Sequence, residues 1–164
     1  MEKITFEEFY QWQESQSAVV NEEGIFDDGE FFEEEGVQFH KGDLRVANLE
    51  VAPCVVVDGN LIIDGEINSP FDQGLLVVTG DLRCQHFSFR FQTVVAGNLY
   101  ADTIRVDSGC DYALTIGGDI HANSVIEAGH CITVKGHIYS PIIETSHYLS
   151  VNGIKMPSTP SASD

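Results

Sequence analysis

Gly97-Asn98-Leu99, with Thr93-Val94-Val95-Ala96 before it and Tyr100-Ala101-Asp102-Thr103-Ile104 after it, is one copy of a recurring pattern. Other copies begin at Gly42-Asp43-Leu44, Gly59-Asn60-Leu61, Gly80-Asp81-Leu82, Gly118-Asp119-Ile120 and Gly136-His137-Ile138. Gly153 opens a seventh, degraded copy. Successive glycines stand 17, 21, 17, 21, 18 and 17 residues apart. Short repeats of alternating apolar runs and turn residues predict a β-solenoid with one coil per copy.

Columns counted from each glycine support this. Two residues before it stand His40, Val57, Val78, Val95, Ile116, Val134 and Val151, and two after it Leu44, Leu61, Leu82, Leu99, Ile120 and Ile138. Strand side chains alternate faces, so these columns share the interior. A third short strand begins seven residues on, with Leu49, Phe87, Ile104, Val125 and Ile143. The glycine is expected to tolerate a positive-φ corner, and the Asp or Asn beside it to satisfy turn backbone. A run of hairpins explains the alternation but not the fixed glycine period. The fold class is therefore all-β, a single-stranded parallel β-helix. The strict six-residue spacing of left-handed helices fails at the 21-residue coils, so the right-handed form is favoured.

The Val-x-Val-x-Gly-[Asp/Asn]-[Leu/Ile] cadence over roughly residues 37–154 resembles the β-helix domain of bactofilins, the bacterial polymer-forming family. It is also similar to stand-alone solenoids in bacterial toxin–immunity gene neighbourhoods. The first resemblance implies polymerisation through solenoid ends. The second implies a cytoplasmic immunity protein.

Three segments follow: an acidic N-terminal helix and cap segment (1–36), the solenoid (37–154) and a disordered tail (155–164). Thr5 and Glu8 form a capping box for a helix over 4–16, with Ile4 and Phe9 as a hydrophobic staple. Phe6, Phe9, Tyr10 and Gln13 share one face, and the helix is expected to cap the N-terminal end of the solenoid. The formal net charge is −18, and residues 1–36 hold 12 of the 26 acids against one base, Lys3. Nucleic acid and anionic lipid are thereby disfavoured as partners, and a basic protein is favoured. No apolar run reaches transmembrane length and the first residues are no signal peptide, so a cytoplasmic location is expected.

Acids interleaved with aromatics at Phe26, Asp27, Asp28, Glu30, Phe31, Phe32, Glu33, Glu34 and Glu35 suit a surface that steers and docks a basic partner. The two 21-residue coils place their extra residues, including Phe71 and Tyr112, at one corner, a second candidate contact. Cys54, Cys84, Cys110 and Cys131 form no Cys-x-x-Cys pair and read as buried thiols. His130 with His147, and His121 with Tyr139, Tyr100 and Arg83, adjoin in successive coils and read as stacked polar residues. No catalytic motif, metal set or cofactor loop is identified. The expectation is a non-enzymatic immunity protein, monomeric or a small oligomer, that neutralises a basic nuclease-type toxin. The alternative is a self-assembling scaffold.

Overall fold

In the computed structural model, which describes residues 1–21, 36–71, 73–109 and 111–159, the chain winds into a parallel β-solenoid of about six turns. Its largest sheet stacks Val37–Lys41, Cys54–Asp58, Leu75–Val78, Gln92–Val95, Ala113–Ile116, Cys131–Val134 and Tyr148–Val151 in parallel. A second sheet stacks six strands from Leu44–Val46 to Ile138–Tyr139. The third face is split between a pair, Leu49–Glu50 with Ile67–Asn68, and a four-stranded sheet from His86–Phe87 to Ile142–Thr145. Like residues meet as the repeat predicts: Val78 aligns with Val95 and Ile116, and Leu82 with Leu99 and Ile120. These side chains are buried in one continuous core.

The repeat glycines work differently from the expectation. Among them only Gly42 and Gly153 have positive φ. The others are excluded from growing a side chain by the coil before. A Cβ on Gly97 would lie 2.6 Å from the Gly80 carbonyl oxygen, and closer still to the Asp81 carboxylate. Each Asp or Asn accepts the backbone N–H at the same corner of the next coil, from Asp43 and Asn60 (2.9 Å) to Asp119 and His137 (2.8 Å). The Asx side chain thus occupies the space that the next glycine leaves open.

Gly153 does not open another coil. Asn152 (φ 50°) and Gly153 (φ 79°) are both left-handed and turn Tyr148–Val151 back into Ile154–Lys155, which pairs antiparallel. That is the two-residue hairpin that the order Asn-Gly specifies, reversed from the Gly-Asx of the coils. Met156 then packs on the core, and the Thr159 N–H donates to the Thr145 carbonyl at 2.7 Å. Residues 155–159, expected as disordered tail, instead run back across the C-terminal end.

The helix spans Phe6–Glu14 with Thr5 as N-cap and both capping-box bonds present. It does not plug the solenoid end. Phe6, Phe9 and Val20 pack on Val37, Cys54, Val56, Leu75, Val77 and Val94, the outward face of the large sheet. The helix therefore lies along the flank of the first four coils, because their outward column is apolar there. Burying two phenylalanines on it contributes about 1.5–3 kcal/mol each. The Trp12 Nε1–H donates to Asp58 Oδ2 at 3.2 Å and fixes the helix to a coil corner. Tyr10, expected on the packed face, sits at its rim with its ring 4.5 Å from Phe6. Glu2–Ile4, pairing antiparallel with Val37–Phe39, borders the sheet at the N-terminal end.

Candidate functional site

Of the residues proposed to meet a partner, Phe26, Asp27, Asp28, Glu30, Phe31, Phe32, Glu33, Glu34 and Glu35 lie outside the described residues. Phe71 is half-buried in a loop where Ser69 Oγ accepts its N–H at 3.3 Å. Tyr112 is half-buried against the core, its ring 5.4 Å from Phe91, which meets Phe89 edge-to-face at 5.6 Å. Tyr112 thus closes an aromatic corner of the core as well as facing outward.

Arginine avoids the helix flank but lysine does not: Lys3 and Lys41 belong to strands of the large sheet, and Lys135 lines a groove with Ser17, Ala18 and Val19. The helix turns Phe6, Phe9 and Gln13 inward and leaves Glu7, Glu8 and Glu14 exposed on the flank. All four arginines lie elsewhere: Arg45 and Arg83 on the second sheet, Arg105 on the third, and Arg90 on the link after it. Arg45 is tied to Asp64 at 3.0 Å in an exposed pair.

The outward column of the second sheet forms an ordered stack. The Arg83 guanidinium lies 3.9 Å from the Tyr100 ring centroid. Tyr100 and His121 stack at 4.9 Å and 9°, and His121 and Tyr139 at 4.8 Å and 17°. One residue per coil in register is what the sequence predicted here. Below the stack a groove of about 390 Å³ runs between Arg45 and Arg83 over Ile62.

A second cluster was missed in the sequence. Glu127 is 1% exposed and holds five donors. Oε2 accepts the N–H groups of Gly129 (2.6 Å) and His130 (3.1 Å). Oε1 accepts those of His147 (2.8 Å) and Tyr148 (2.6 Å) and the Thr145 hydroxyl (2.5 Å). Burial pushes its carboxyl pKa up, but the bonds from Thr145, Gly129, His130 and His147 outweigh that and hold it below the ordinary range. The signal was available: Glu127 aligns with Val106 and Thr145 at an inward position of its strand. It is a clamp on the corner joining two successive coils.

His130 and His147 have different surroundings rather than a shared site. His130 is fully buried, its Nδ1 2.9 Å from Ser108 Oγ, while His147 is exposed. Burial pushes the His130 imidazole down to about 4, against the opposing pull of the Ala113 carbonyl and of Glu127 and Asp107. It is neutral at physiological pH. Burial also raises the Cys54 thiol pKa and pushes that of Cys84 up to about 12, so both remain protonated. Among the described residues no three His, Cys, Asp or Glu side chains converge as a metal set, and no helix is long and apolar enough to cross a membrane.

Comparison of the chain with protein-family models, with curated proteins and with solved structures found no match in any of the three.

Proposed function

We propose that this chain is a non-enzymatic acidic binding protein that neutralises a basic protein, in the manner of an immunity protein against a nuclease-type toxin. The observation that carries this reading is the excess of acid: a net charge of −18, with 12 of the 26 acids in residues 1–36. The helix exposes Glu7, Glu8 and Glu14 on one flank and leads into the acid-rich residues 22–35, while every arginine lies on other faces. A nuclease must be basic to hold phosphate, so an acidic flank competes for that surface and is steered to it. The rigid solenoid supports the reading by giving the flank a fixed backing. The test is capture from the native host's lysate with the intact chain as bait. Retention of a basic protein, released by salt and inhibited on binding, is the expected result. Retention of further copies of the chain alone would overturn it.

One observation favours a scaffold instead. The second sheet has strands with one partner only at both ends, Leu44–Val46 and Ile138–Tyr139, and such edges invite stacking. Against end-to-end stacking in register stands the unequal height of the faces: nine strands in the large sheet, six in the second. Glu2–Ile4 and Ile154–Lys155 would meet before the shorter edges did.

A further inference from the structure

The second sheet stops short of its neighbour at the C-terminal end. Its last strand, Ile138–Tyr139, pairs with Ile120–His121 on one side only, whereas the large sheet continues through Tyr148–Val151 and Ile154–Lys155. The aromatic stack therefore ends on an open ring. Tyr139 is 55% exposed, and with Ile142 and Ile154 it supplies three of the five exposed large apolar residues among the described ones. His137, just before that strand, has its ring 6.3 Å from Tyr139 and tilted by 41°, and Tyr139 stays exposed beside it.

Three features define what fits. The edge offers unpaired backbone groups to an extended segment. A residue added in register with Tyr139 would fall about 4.8 Å beyond it, the spacing that the stack already keeps at 4.9 and 4.8 Å. At the opposite end of the same stack the closing group is a guanidinium, Arg83 on Tyr100 at 3.9 Å. A guanidinium arriving at Tyr139 would repeat that closure, whereas a second copy of the chain would bring a like net charge of −18.

We propose that the Ile138–Tyr139 edge is a strand-addition site for an extended, arginine-bearing segment of a basic protein, whose guanidinium closes the stack on Tyr139. This rests on reading the chain as an acidic binder, and it adds an anchor point remote from the acidic flank.

The probe is a capped hexapeptide alternating valine and arginine, beside a version with citrulline at each arginine, titrated into the whole isotopically labelled protein. With the arginine peptide the amides of Ile138 and Tyr139 and the His121 ring shift, and the citrulline peptide binds at least tenfold more weakly. Tyr139→Ala and Tyr139→Leu each lose at least fivefold in affinity, Tyr139→Phe keeps it, and Tyr10→Ala leaves it unchanged. Shifts confined to the helix flank would overturn the proposal. So would equal binding by Tyr139→Leu, which retains bulk without a π face. Dimerisation through Tyr139 without peptide binding would overturn it as well. If a basic partner captured from lysate binds Tyr139→Leu as tightly as wild type, this site fails and the acidic-binder reading stands. If the peptide docks on Tyr139 while the lysate yields no basic partner, the site stands and that reading fails.

Discussion

The Asp81 carboxylate accepts the backbone N–H of Asn98 at 2.8 Å, reaching into the space that a Cβ on Gly97 would occupy. Glycine and Asx are thus two halves of one contact between successive coils. Gly97→Ala should destabilise the protein by about 2–3 kcal/mol, since backbone and a bonded carboxylate both block the methyl group. Gly42→Ala meets nothing within 4 Å and carries only the left-handed strain of φ 100°, about 1 kcal/mol. Urea midpoints of the two variants check the order. Equal losses would contradict the packing account.

Asp and Asn alternate along this column: Asp43, Asn60, Asp81, Asn98, Asp119. Carboxylates two coils apart are separated by about 10 Å, near the screening length of physiological salt. Asn98→Asp would place three in succession and should cost about 1 kcal/mol at low ionic strength. The loss should shrink in 0.5 M salt, measured by thermal melting. A salt-independent loss would mean that hydrogen bonding, not repulsion, sets the alternation.

Much of the fold is legible in the sequence because a solenoid repeats one local decision. The Val78–Val95–Ile116 and Leu82–Leu99–Ile120 columns follow from period alone. The helix was legible in its capping box but not in its position. That information sits in the alternate column, Val56, Val77 and Val94 giving way to Thr115 and Thr133. A strand apolar on both faces is covered on both, and the switch to threonine marks where the helix stops. Asn152-Gly153 was read by its glycine, although residue order distinguishes a hairpin from a coil corner. The stack through Tyr100, His121 and Tyr139 was legible, because register fixes such neighbours. Glu127 is legible only as an acid at an inward strand position; its five donors, four of them backbone N–H groups of its own corner and the next, are displayed by no side-chain pattern.

Removing residues 1–20 should expose Val56, Val77 and Val94, which are buried at 0–1%. Increased binding of a hydrophobic dye and a rise in mean mass by light scattering, relative to the intact chain, are expected. Thr5→Ala, which removes only the cap, should cost about 1 kcal/mol and leave the mass in solution unchanged. A truncated protein that shows no such rise and binds no dye would place the helix's role elsewhere.

Two buried groups set the acid limit of stability. His130 has a folded pKa pushed down to about 4 from an ordinary 6.5, so the unfolded chain binds the extra proton between those values. Stability should therefore fall as pH drops from 6.5 toward 4, by on the order of 3 kcal/mol in all. Glu127, lowered from 4.5, contributes stability that is present above pH 4.5 and lost as pH falls through its lower folded value. Chemical denaturation at pH 7.5, 5.5 and 4.5 reads the first effect. Flat stability over that range would contradict a buried neutral His130. Glu127→Ala should cost about 3 kcal/mol or more at pH 7, since four backbone N–H groups lose their acceptor.

Association kinetics with the captured basic partner test the role of the acidic surface most directly. The on-rate of the intact chain should fall steeply between 50 and 500 mM salt, because the screening length for attraction between unlike charges shortens from about 14 Å to about 4 Å over that range. Reversing Glu33, Glu34 and Glu35 to lysine should remove most of that salt dependence, while truncating Phe26, Phe31 or Phe32 should mainly raise the off-rate. An on-rate indifferent to salt and to these reversals would contradict the acidic-binder account.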